Sequence, residues 1–237
     1  MSALPATLTA APLPQAREGT SAVTARDNIL SRIRKLQGRD GATSEAELAQ
    51  VRAAIAEHRV GPHPAMPWSD GVQRFKDQCA HLLSTHDEIT SLDALPVAVA
   101  RYLKAHALPS HIVGWCEFAH LNWQGANLHY ANRAANASDT SGITGCFCAI
   151  AETGTLLLLG SAATPKATAL LPDTHIAVLR KERIVRTMED AFALMRQEVG
   201  EPPRSTFFVS GPSRTADIEQ TIVIGAHGPY RVHVILI

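Results

Sequence analysis

The sequence predicts an α/β protein with a layered, mostly parallel sheet and an N-terminal helical arm. Three observations predict it. Short β-branched or apolar runs at residues 111–115, 175–179, 206–209 and 231–237 lack polar alternation, as strands buried on both faces of a parallel sheet do. Stretches of helical periodicity alternate with them, which is the pattern of an α/β layered domain. The chain has 237 residues, 46% of them apolar, enough to bury a core without disulfide or metal staples.

Taken in order, residues 1–20 are rich in Ala, Pro and Thr without apolar period, which predicts a disordered tail. Residues 21–60 predict a helical arm. Val23, Ile29, Ile33 and Leu36 lie near one stripe with Gly38 as a stop, and a second helix follows the cap Thr43-Ser44. Glu45 and Glu47 suit the positive end of that helix's dipole, and Leu48, Val51 and Ile55 form its stripe. Residues 61–69 hold three prolines and predict a linker to the main domain at 70–237. Within that domain helices are expected over 71–83, 91–107 and 187–199, the last with Glu189 and Asp190 in its first turn. Two further apolar runs flank Gly154 within 149–159.

Composition excludes several classes. The 22 basic and 22 acidic side chains cancel and are not segregated along the chain, so a general nucleic-acid surface has no support. No apolar run approaches the roughly 18–20 residues of a membrane span. The N-terminus has no basic region of the kind that opens a signal peptide. Four cysteines without framework spacing suit a reducing compartment, and a cytoplasmic protein is expected.

The motifs narrow the reading further. No glycine fingerprint for dinucleotides or phosphates is present. Cys146 and Cys148, two apart in an extended segment, are poorly placed to bridge each other, so a buried structural role is expected and no metal site is assigned. His111, His120 and His129 recur every nine residues without zinc-like spacing and are expected at the surface or in hydrogen bonds. Arg180, Lys181, Arg183 and Arg186 read as a solvated loop.

Two segments carry more chemistry. In Ala151-Glu152-Thr153-Gly154-Thr155 a carboxylate sits among apolar neighbours beside two hydroxyls and a glycine. Glu152 is either a buried acid, base or nucleophile with a raised pKa, or a carboxylate bonded to backbone amides at a strand turn. The second segment, residues 210–219, brings Ser213, Arg214, Thr215, Asp217 and Glu219 after a strand, where ligands of α/β sheets commonly bind. Arg214 can clamp a carboxylate there, or pair internally with Asp217. His227, in His227-Gly228-Pro229, adds a titratable ring before the final strand.

Together with Ser141-Gly142-Ile143-Thr144-Gly145, Leu171-Pro172 and His175-Ile176, these segments resemble the LUD-domain family over roughly residues 70–237, in the family's order. The helical arm is also usual for this type. The resemblance implies a fold like that of the ribose-5-phosphate isomerase, glucosamine-6-phosphate deaminase and CoA-transferase superfamily. It implies a subunit that oxidises L-lactate to pyruvate with two iron–sulfur partner proteins, the clusters lying on the partners and none on this chain. The family pattern maps onto Glu152, His227 and Asp217 as candidate catalytic groups. Thr153, Thr155, Ser213, Arg214 and Glu219 are the candidate contacts to a small anionic substrate. Cys146 and Cys148 depart from it, replacing small residues. Two alternatives stand beside this reading: a stand-alone acyl-transfer or sugar-phosphate enzyme using Glu152, and a non-catalytic assembly subunit.

Overall fold

The computed structural model describes residues 24–39, 43–216 and 220–237. The expected tail at 1–20 lies outside them, as do Asp217 and Glu219. The chain divides into two units, with the boundary between Gly61 and Pro62.

The first unit contributes helices α1 (Ala25–Leu36) and α2 (Glu45–Ala56). Each begins in a reciprocal capping box, Thr24 with Asp27 and Ser44 with Glu47, which satisfies backbone donors the first turn leaves free. Gly38 follows α1 at φ +65°, the left-handed geometry that ends a helix. Neither helix buries a residue.

The second unit runs α3 (Gly71–His81), β1 (Thr85–Glu88), α4 (Leu95–Ala105), β2 (His111–Gly114), β3 (His129–Asn132), β4 (Ser141–Thr144), β5 (Cys148–Ile150) and β6 (Thr155–Gly160). It continues with α5 (Ala167–Leu170), β7 (Thr174–Leu179), β8 (Ile184–Val185), α6 (Met188–Glu198), β9 (Ser205–Val209), β10 (Arg214–Thr215), β11 (Val223–Ile224) and β12 (Arg231–Leu236). Six strands form a parallel sheet in the order β1-β12-β7-β4-β2-β3.

Not every apolar run enters that sheet. The two runs around Gly154 form the antiparallel hairpin β5–β6, and the run at 206–209 pairs with β6 as β9. They build a second sheet, β8-β5-β6-β9, antiparallel except for the β8–β5 pair. The reason is local. A four-residue turn returns the chain directly, whereas a parallel neighbour needs a long crossover.

Successive side chains of a strand face opposite ways, and β7 shows how this makes layers. Ile176 and Val178 pack with Leu95, Val99 and Leu103 of α4. Ala177 and Leu179 face Phe75 of α3 and Leu156 and Leu158 of the second sheet. The far face of that sheet puts Ile150 and Leu157 against Ala191 of α6. Each fully buried aliphatic side chain of this kind contributes about 1.5–3 kcal/mol. Trp68, in the proline-rich stretch, packs on the core, with the Arg186 guanidinium 4.3 Å over its ring.

Candidate functional site

Among the described residues, the Glu152–Thr155 turn and the loop bearing Arg214 meet α3 and the turn that ends it. Gly154, at φ +67°, brings the β5–β6 turn so close to Gln78 that a Cβ would stand 2.6 Å from the Gln78 Cβ. The Thr153 hydroxyl meets that of Thr155 at 2.8 Å, and Thr155 meets that of Ser210 at 2.8 Å. Ser213 donates its N–H to the Pro229 carbonyl and accepts from the Gly225 N–H, tying its loop to the turn that holds His227. Arg214 donates to the Leu82 carbonyl instead of standing free, and Thr215 pairs with Val223 across β10–β11.

One expectation is narrowed and one is corrected here. Of the two placements open to Glu152, the structure shows the strand turn. The residue is half-buried in the β5–β6 turn, its N–H donating to the Arg186 carbonyl and its own carbonyl accepting from Arg74. The loop from Ser210 does leave the carboxyl end of β9, but β9 belongs to the second sheet. Relative to the parallel sheet, the loop contacts Leu82 before β1 and Pro229 before β12, at the strands' amino ends. His227 is exposed in the same region.

The carboxyl ends of the parallel strands hold a different cluster. The connection from β2 leads outward to the edge strand β3, whereas that from β4 leads to β7 on the other side. Such a reversal opens a crevice beyond the two strands, where open α/β sheets commonly bind ligands. A cavity of about 190 Å³ lies there, lined by Glu117, Gly145, Cys146, Val178, Arg180 and Ile237.

The geometry of this crevice follows from two glycines. Gly114 leaves room for the Tyr130 hydroxyl, which donates to the Trp115 carbonyl. At Gly145 a Cβ would stand 2.0 Å from Glu117 Oε1, so only glycine lets that carboxylate lie against the backbone and accept the Gly145 N–H. Glu117 is exposed as a residue, but its carboxyl end is turned inward, and burial raises its pKa against the opposing pull of Gly145 and Arg180. The Arg180 guanidinium has no hydrogen-bond or ion-pair partner among the described residues, and its charge reaches Glu117. Cys146 donates its thiol to the Cys148 carbonyl at 2.8 Å, and burial pushes its pKa up, so it lines the crevice as a neutral thiol.

Sequence reading missed Glu117 and placed Arg180 in a solvated run. In the structure Lys181 pairs with Glu88, Arg183 binds Glu198 and the Phe147 carbonyl, and Arg186 covers Trp68. The available signal was position: Arg180 immediately follows a fully buried strand. No comparable signal marks Glu117. His111 and His129 are register partners on β2 and β3, with rings stacked at 4.6 Å. His175 and His233 instead lie in the core. Among the described residues no three His, Cys, Asp or Glu side chains converge as a metal site. No helix among them is long and apolar enough to cross a membrane.

The architecture defines an α/β protein whose parallel sheet carries a polar crevice at its point of topological reversal. The LUD domain family model matches residues 116–237, and the chain belongs to that family. It is 26% identical over 235 residues to lactate utilization protein C of Bacillus velezensis, covering 91% of this chain and 96% of the relative. Shorter stretches match more closely: 42% over 96 residues for lactate utilization protein C of Deinococcus radiodurans, and 37% over 99 for that of Bacillus subtilis. Those alignments span 45% and 41% of the relatives' lengths. The crystal structure of a DUF162 family protein from Deinococcus radiodurans superposes with a TM-score of 0.51 at 24% identity, covering 72% of this chain and 99% of that one. It shows the same fold.

Proposed function

We propose that the chain is a subunit of a cytoplasmic system that oxidises L-lactate to pyruvate together with iron–sulfur partner proteins. On this reading the crevice beyond β2 and β4 receives the lactate. The near end-to-end match to a lactate utilization protein C supports the pathway. The observation that carries the site is an unpaired guanidinium, Arg180, lining the same crevice as the inward-turned Glu117.

A 2-hydroxy acid needs a cation for its carboxylate and a base for its hydroxyl proton. Arg180 binds the carboxylate, bidentately where the fork geometry allows. Glu117, with its pKa raised, accepts the hydroxyl proton more readily than an ordinary carboxylate. Val178 and Ile237 give the substrate methyl an apolar wall. Oxidation to pyruvate also releases two electrons and the C2 proton; clusters on the partners would accept the electrons, and the proton would pass to solvent. We further take the parallel sheet to be related to the ribose-5-phosphate isomerase and CoA-transferase superfamily.

The test is lactate-dependent dye reduction by the chain reconstituted with its iron–sulfur partners. Arg180→Gln is expected to raise KM for lactate tenfold or more, and Glu117→Gln to lower kcat with a smaller change in KM. If omission of this chain leaves the activity unchanged, the proposal fails.

A further inference from the structure

A second cavity lies at the opposite, amino-terminal end of the parallel sheet. It has a volume of about 210 Å³ and lies between α4, β1 and β12, flanked by Pro212 and Ile224 of the β10–β11 region. Its polar lining is Thr85, Tyr102, His106, Tyr230 and Arg231, and no carboxylate lines it among the described residues. Asp87, further along β1, is paired with Arg101. The Arg231 guanidinium rests 4.8 Å from the Tyr230 ring centroid and has no ion-pair partner among the described residues, and its charge reaches the Tyr102 phenol.

Behind this lining stands a buried polar group that protein contacts leave incomplete. His233 is 4% exposed and stacks on Tyr102 at 3.9 Å. Its Nδ1 meets the Thr85 hydroxyl at 2.8 Å, and its Nε2 is buried without a partner. A buried N–H without an acceptor is rarer in proteins than an under-used acceptor. The hydrogen is therefore assigned to Nδ1, which donates to Thr85. The Thr85 O–H is thereby released to donate to the Tyr102 phenol oxygen, which leaves the Tyr102 O–H to donate into the cavity. The stacked, uncharged His233 fixes the direction of this relay.

We propose that this cavity is a binding site for a small organic anion, separate from the lactate crevice. The oxyanion head lies on Arg231 and the Tyr102 hydroxyl, with His106 beside it. The remainder lies against Pro212, Ile224 and Val232. A carboxylate and a phosphate share this head-group chemistry.

The experiment is calorimetric titration of the full chain with phenyl phosphate and, separately, with benzoate. Saturable one-site binding of at least one of them is expected, weakened at least tenfold in Arg231→Gln and at least threefold in His106→Gln. The tighter of the two ligands identifies the head group. His106 is exposed at the end of α4, so its variant keeps the test intact if Arg231→Gln fails to fold. Saturable binding of neither anion overturns the proposal. So does an affinity unchanged by Arg231→Gln, or by His106→Gln where only that variant folds.

Discussion

Gly142 lies within β4 and Gly145 directly follows it, and adding a single methyl group to each should have opposite consequences. At Gly142 a Cβ would stand 2.2 Å from the Thr168 carbonyl oxygen and 3.0 Å from the Pro172 ring. The first contact is with backbone, and α5 is held in place by the fully buried Ala169 and by the Leu171 N–H bond to Ala167. Neither neighbour can swing aside, so the sheet and α5 must separate. Overpacking of this kind costs roughly 1–3 kcal/mol, occasionally more, and contact with rigid backbone puts Gly142→Ala near about 3 kcal/mol. At roughly 2–4 °C per kcal/mol for a chain of this size, the melting temperature should fall by about 6–12 °C. At Gly145 the three atoms nearest such a Cβ all belong to the Glu117 carboxylate, the far end of a flexible side chain. A rotamer change relieves that contact for about 1 kcal/mol. Gly145→Ala should therefore fold nearly as well as the parent but displace Glu117 from the crevice and lose lactate-dependent activity. Thermal unfolding followed by circular dichroism, alongside the reconstituted dye assay, measures both. Equal melting temperatures for the two variants would refute the packing argument. A fully active Gly145→Ala would refute the role given to Glu117.

Three further outcomes are expected. Burial holds the pKa values of His175 and His233 down at about 4, against 6.5 for an unperturbed histidine. Both rings are neutral in the fold, so their stabilising effect is complete above pH 6.5 and is lost as the unfolded chain takes up protons between about 6.5 and 4. At about 1.4 kcal/mol per unit, each removes up to about 3 kcal/mol. Urea titrations should show stability falling from pH 7 to 5, and a flat profile would contradict the burial of these rings. Burial raises the Cys79 thiol to about 12 and the Cys148 thiol to about 11, while Cys116 is exposed. A thiol-disulfide reagent at pH 8 should label Cys116 first, and rapid labelling of Cys148 would show that the second sheet opens. Trp68→Ala should cost about 3 kcal/mol or less, because the ring is only partly buried, and the loss is read from the denaturation midpoint. No loss at all would remove residue 68 from the folded core.

Much of the secondary structure was legible because its signals are local. The expected helix at 187–199 appears as α6 with Thr187 as its cap, and the runs at 175–179 and 231–237 appear as neighbouring central strands. The edge strands β1, Thr-His-Asp-Glu, and β3, His-Tyr-Ala-Asn, carried no apolar run and were not legible. Their pairing is decided by the strands beside them. The turn at Gly154 was legible as a turn, but its consequence, a second antiparallel sheet, was not.

The sequence by itself determined the α/β class, the helical starts and stops, and the family-like segments around Glu152, Ser213 and His227. These depend on periodicity, caps and residue order, all of which act within a few positions. The tertiary structure alone decided which end of the sheet each segment occupies. It placed the Ser213 and His227 loops at the amino ends of the strands. It also brought Glu117, Gly145 and Arg180, up to 63 positions apart in the chain, to one crevice at the carboxyl ends. The physical reason is strand order. Adjacency in a parallel sheet is set by crossovers and core packing between distant segments, and the reversal between β2 and β4 exists only once all six strands are in place.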